Sequence, residues 1–188
     1  MPPIPRTESR TLQVVGARRA GGKSPTRADL IRTLRQLAGE GGAIVALFDA
    51  RAIAGERHVL SAWAHMGRTR ARGEARLRDR GAELALYVAG DDQLPRALSK
   101  VGVAEDSEEF ILLVERPREP EPLLQMFGLI RDDAIYPRLP STSTLERLGI
   151  SEVERNAVPS TAWEGLVLER VALLDLSSAH AISETTNA

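Results

Sequence analysis

Apolar and polar positions along this chain fall into short blocks, and the spacing within each block predicts its element. Thr11–Val15 is short and β-branched, which suits a strand. Gly16–Ser24 reads as a turn-rich basic loop. Ser24 and Pro25 then read as the N-cap and first residue of a helix. In that helix Leu30, Ile31, Leu34, Leu37 and Ala38 share one face at amphipathic spacing. Gly39, Gly41 and Gly42 end it. Ala43–Phe48 is a continuous apolar run, read as a buried strand. A helix from His58 to Arg72 turns Val59, Ala62, Trp63 and Met66 inward. Glu83–Val88 is expected as a third strand and Phe110–Val114 as a fourth. Between them Asp91 or Asp92 caps a helix that carries Leu94, Leu98 and Val101 inward and stops at Gly102.

Beyond the fourth strand the pattern is helical. Arg116–Pro122 alternates charge with proline and reads as a surface connection, followed by a short helix to Gly128. Thr144–Leu148 and Ser151–Asn156 are two further pieces. Ser151 with Glu154, and Thr161 with Glu164, have the spacing of capping boxes. The last helix, Ala162–Leu176, is expected to pack Leu166 and Leu173, with Val167 and Leu174 beside them. This order predicts an α/β (α+β) domain: a mixed or antiparallel sheet of about four strands packed with helices, plus a C-terminal helical segment. Residues 1–10 read as a flexible lead-in, 11–176 as one domain and 177–188 as a mobile polar tail.

Composition narrows the chemistry. The 188 residues are 43% apolar, enough for a sizeable core. There is no cysteine, so disulfides, thiolate metal sites and cysteine nucleophiles are excluded. Net charge is −1, and the only lysines are Lys23 and Lys100. Any nucleic-acid contact must therefore come from a local arginine patch. No stretch approaches the roughly 20 apolar residues that cross a bilayer. Met1–Pro5 lacks the apolar core of a signal peptide. A soluble, cytoplasmic protein without membrane partners is the expectation.

Three features invite a chemical reading. Ala17-Arg18-Arg19-Ala20-Gly21-Gly22-Lys23-Ser24 matches a loose phosphate-loop pattern, with alanine at the first glycine. Ala43–Asp49 imitates the apolar strand whose terminal Asp holds magnesium. Against it, Pro25 disfavours the helical region at Ser24, so Lys23 and Ser24 fall outside the first helical turn that such a loop needs. An ordinary basic surface loop explains the same residues. His58 and His65 lie two turns apart on one helix face, but no carboxylate at ligand spacing completes a metal site. Surface or hydrogen-bonded core histidines are the plain alternative. The third feature is Arg68, Arg70, Arg72, Arg76, Arg78 and Arg80, interrupted by only Glu74 and Asp79 among acids. Such density suits a phosphate-binding ridge; a solvated helix face is the competing reading. No Gly-x-Ser-x-Gly elbow is present. A binding or scaffold role is favoured over catalysis, with no cofactor and no metal.

One stretch resembles a known family. It runs from His58-Val59-Leu60-Ser61-Ala62 through Glu83-Leu84-Ala85-Leu86-Tyr87-Val88-Ala89-Gly90, then Gln93-Leu94-Pro95-Arg96-Ala97-Leu98 and Val101-Gly102-Val103. It is similar to the small regulatory subunit of the KEOPS complex, the PRPK-binding protein (TPRKB) family, in its archaeal-like form. Glu169–Leu176 resembles that family's closing helix. The resemblance implies a non-catalytic adapter that binds the kinase-like ATPase subunit of KEOPS and modulates its activity. It also implies help in recruiting tRNA by its 3′ CCA end for threonylcarbamoyladenosine modification, with the other KEOPS subunits met indirectly. On that reading Gly90, Gln93, Leu94 and Arg96, with Arg68, Arg72 and Arg76, are the candidate tRNA contacts. Leu98, Val101, Leu166, Arg170 and Leu174 are the candidate kinase-subunit contacts. This chain has Asp92 where the family usually has an arginine, so an RNA contact made by that arginine is either lost here or moved to Arg96 or to the Arg68–Arg80 ridge. A nucleotide-binding protein using residues 17–24 and a stand-alone RNA-binding protein remain the alternatives.

Overall fold

The computed structural model describes residues 11–21, 25–38, 43–116, 118–135 and 139–185. The expected lead-in at 1–10 lies outside them, as do Gly22, Lys23, Ser24 and the Gly39–Gly42 stop. Four strands form one antiparallel sheet in the order β2-β3-β1-β4. They are β1 (Leu12–Arg19), β2 (Val45–Asp49), β3 (Glu109–Glu115) and β4 (Leu129–Arg131). The mixed α and β class with a C-terminal helix is as the pattern predicts.

Both faces of the sheet are covered, which is why β2 and β3 read as unbroken apolar runs. Val15, Ala17, Val45, Leu47, Phe110, Leu112 and Val114 face one layer. There they meet α1 (Arg27–Ala38) through Leu30 and Leu37, and α5 (Pro120–Phe127) through Leu123, Leu124 and Phe127. Leu12, Ala46, Phe48, Ile111 and Leu113 face the other. That layer holds α2 (Glu56–Ala71), α3 (Arg80–Ala89), α4 (Leu94–Val101), α6 (Thr142–Arg147) and α8 (Trp163–Thr185), with α7 (Glu152–Asn156) leading into α8. Among the described residues no helix is long and apolar enough to cross a membrane.

The largest departure from the pattern is Glu83–Val88. It is not a strand but the body of α3. Leu84 to Ala89 are all buried, so the run lacks the one-sided period that separates helix from strand. The deciding signals lie at its ends. The Asp79 carboxylate accepts the Ala82 amide at 2.6 Å as the N-cap. Gly90, at φ 58°, closes the helix in the left-handed conformation.

Other boundaries move for local reasons. β1 continues through Gly16–Arg19, which the pattern gives to a loop, because Gly16, Ala17 and Arg18 pair with Ile111, Phe110 and Glu109. A Cβ at Gly16 would overlap the Asp132 carbonyl, so only glycine fits there. α1 starts at Arg27, not Pro25. Thr26 and Asp29 exchange hydrogen bonds, Thr26 amide to Asp29 carboxylate at 3.0 Å and Asp29 amide to Thr26 hydroxyl at 3.2 Å. The capping box at Ser151 and Glu154 forms. The one expected at Thr161 does not, since Ser160–Ala162 is a turn of 3-10 helix leading into α8. α8 continues to Thr185, through most of the stretch whose small polar composition suggests a tail.

Candidate functional site

Helix phases decide which predicted residues reach the surface. In α4 the inward residues are Ala97 and Val101, both fully buried, while Leu98 is 48% exposed. In α8 they are Val167, Val171 and Leu174. Of the four residues that the pattern turns inward, Val167 and Leu174 are buried and Leu166 packs at the margin of the core, while Leu173 is not inward. Leu166 is only half-buried, and Leu173 is 49% exposed. Of the five candidate kinase-subunit contacts, Val101 and Leu174 therefore belong to the core. Leu98, Leu166 and Arg170 remain accessible, and Leu173 and Leu176 join them as exposed apolar residues.

Two groups of candidates distant in sequence meet at one cleft of about 240 Å³. Gly90, Asp91, Asp92 and Arg96 line one wall, and Arg170, Leu173 and Leu174 the other. α3 and α8 approach so closely here that a Cβ on Gly90 would lie 2.9 Å from the Arg170 Cβ. Asp91 organises the polar wall. Its carboxylate accepts the Gln93 amide and Arg96 Nε, each at 3.0 Å, and pairs with Lys100 Nζ at 3.0 Å. Burial alone pushes the Asp91 pKa up, but the hydrogen bonds from Arg96, the Gln93 amide and Lys100 hold it down to about 2. Arg96 also reaches the exposed Asp92 at 2.9 Å. Across the cleft Arg170 pairs with Glu154 at 2.5 Å. Gln93 is the exposed N-cap of α4, and Leu94 is half-buried and lines a different groove, together with Leu98.

The arginine ridge is engaged in holding the fold. Arg70 pairs with the fully buried Glu83. Arg80 holds the buried Glu115 through two bonds, at 2.6 and 2.8 Å. Arg76 donates to the Leu174 carbonyl at 2.8 Å. Arg72 bridges Glu74 at 2.8 Å and Asp175 at 2.7 Å. Arg68 is exposed and stands 4.0 Å from Asp175. So the charge density at 68–80 braces the α2–α3 connection and α8, leaving Arg68 and Arg78 exposed on the surface.

The remaining candidates for chemistry have structural partners. Asp49 is fully buried. It accepts from Arg51 Nη2 at 2.7 Å and the Ser107 hydroxyl at 2.7 Å, with Arg147 at 3.3 Å. Arg18 and Arg19 of the loose phosphate-loop pattern sit in β1; Arg18 pairs with Asp132 at 3.2 Å, and Arg19 Nε donates to the Ser107 carbonyl at 2.7 Å. His58 is a core histidine, and His65 meets Asp175 at 2.9 Å. Among the described residues no cluster of His, Asp or Glu could hold a metal ion. No protein-family model matches the chain, and no curated protein matches it in sequence.

Proposed function

We propose that this chain is a binding subunit of the KEOPS small-subunit type, an adapter that docks a kinase-like partner and helps hold the 3′ end of tRNA. The observation that carries this reading is the cleft between Gly90–Arg96 and Arg170–Leu174, where candidates for both contacts come together. Its chemistry suits binding. Leu173 and Leu176 offer exposed apolar surface on α8, and charged residues rim it. That combination is what a protein interface of about 800 Å² per partner requires. On the opposite wall Arg96 is held in place by Asp91 while its bond to exposed Asp92 can be exchanged for a phosphate. The buried carboxylates Asp49, Glu83 and Glu115 each have an arginine partner, as a scaffold needs and a general acid or base does not.

The test is to mix the chain with the KEOPS kinase-like subunit of the same organism and measure mass by size exclusion with light scattering. A stoichiometric complex is expected. Leu173→Glu should weaken it by about tenfold or more, as loss of an apolar contact at an interface centre does. Arg96→Glu should lower affinity for tRNA carrying its CCA end and leave affinity for end-trimmed tRNA unchanged. Two separate peaks at micromolar concentration would reject the reading. Nucleotide binding that is lost in Lys23→Ala would replace it with the nucleotide-binding alternative.

A further inference from the structure

A groove of about 450 Å³ runs between α1 and the α3–α4 pair and shares no residue with the α8 cleft. That volume lies in the range of small-molecule sites. Its floor is β2, where Val45 to Phe48 are each no more than 8% exposed. A floor so recessed is reached by a single unbranched chain more readily than by a polypeptide.

The walls are apolar and unfinished. On α1, Arg27, Ile31 and Leu34 follow the i, i+4, i+7 spacing of one helix face. Opposite them stand Leu94 and Leu98 of α4 and Ala85 of α3. Ile31, Leu34 and Leu94 are only half-buried, and Leu98 is 48% exposed. An aliphatic ligand lying between these walls gains by covering apolar surface on both sides.

Arg27 gives the groove a polar end. Its Nε donates to the Val103 carbonyl at 2.8 Å, which ties the guanidinium to the segment that follows α4. Its two Nη nitrogens have no partner among the described residues. The carboxylate nearest in sequence, Asp29, is turned instead to Thr26 and Arg32. An arginine fixed through Nε presents its two Nη donors as a fork, which a carboxylate accepts with both oxygens. The remaining charged residues of the groove, Arg35 and Asp79, are of opposite sign, which leaves Arg27 as the excess charge. From Arg27 to Arg35 helix α1 rises about 12 Å, which sets the length open to a chain. We propose that this groove binds an unbranched aliphatic carboxylate of medium chain length. Its carboxylate sits on Arg27 and its chain runs along Ile31 and Leu34, opposite Leu94 and Leu98.

The probe is decanoate, added below its micelle concentration to the isotope-labelled full chain and followed in proton–nitrogen correlation spectra. Saturable binding below about 1 mM is expected, with the largest shifts at Ile31, Leu98 and Val103. Hexanoate should bind about tenfold more weakly or worse, because less chain is covered. Octan-1-ol, which lacks the charge, should bind about fivefold more weakly than octanoate. Arg27→Gln, an exposed change, should weaken decanoate by about the same factor. No saturable binding of decanoate up to about 1 mM overturns the proposal. So does equal affinity for octanoate and octan-1-ol, an affinity unchanged in Arg27→Gln, or shifts that fall on the α8 cleft instead.

Discussion

His58 is neutral because of what surrounds it. The Ala54 amide donates to Nδ1 at 3.2 Å, and Nε2 lies 2.8 Å from the Val88 carbonyl. An amide only donates and a carbonyl only accepts, so the ring is the Nε2–H tautomer. Burial drives its pKa down to about 4, against the smaller upward pull of the Val88 carbonyl. The unfolded chain titrates near 6.5, so between these values the folded state binds fewer protons. The His58 contribution to stability is therefore complete above about pH 6.5 and is lost as pH falls toward about 4. The slope approaches about 1.4 kcal/mol per pH unit, roughly 3 kcal/mol in all. Urea melts at about pH 7, 6 and 5 test this. His58→Gln should be less stable at neutral pH and should lose the slope. An unchanged slope would assign it to another group.

At the scale of elements, α3 is the piece whose identity depends on its ends. Its interior is apolar all round, and its two termini are set by Asp79 and Gly90. Asp79→Ala should cost about 1 kcal/mol in a thermal melt, the usual worth of an N-cap. Asp92→Ala, an exposed residue just before the Gln93 N-cap of α4, should change stability by less than about 0.5 kcal/mol. If residues 83–88 formed a strand after a loop, neither change would matter. The same lesson applies to α8. Its composition has several leucines, but Val167, Val171 and Leu174 pack inward, which puts Leu173 and Leu176 on the surface that the adapter reading needs.

For the whole molecule, Asp175 ties the last helix to the rest. It accepts from Arg72 at 2.7 Å and Thr69 at 2.9 Å and meets His65 at 2.9 Å; Tyr87 of α3 in turn donates to Thr69 at 2.9 Å. Burial pushes the carboxyl up, but Arg72, His65 and Thr69 together hold it down to about 2. Its contribution is present above the unfolded value of 3.8 and is lost as pH falls through about 2. Asp175→Asn should lower stability in urea melts, since it removes the half-buried carboxylate that Arg72, Thr69 and His65 share. Hydrogen exchange should rise along α8 before it rises in β3. Uniform exchange would mean that α8 is held by its apolar face alone.

The sequence by itself determined the class of fold, because its apolar runs and caps are local signals. β2, β3, α1, α2 and α5 follow from runs, periods and flanking glycines that each element carries within itself. Ser151 with Glu154 specified its cap for the same reason. The sequence also made the residues of the cleft nameable one by one, Gly90, Arg96 and Arg170 among them. Tertiary structure decided the rest. Residues 16–19 became strand only because β3 and β4 were there to pair with them. Glu83–Val88 became helix in an environment buried on every side, where period says nothing. The arginines at 68–80 became braces because Glu83, Glu115 and Asp175, distant in sequence or out of phase with them, arrived within reach. Charge has no direction in a sequence. Only packing fixes which carboxylate a guanidinium meets, and so which arginines are left for a partner.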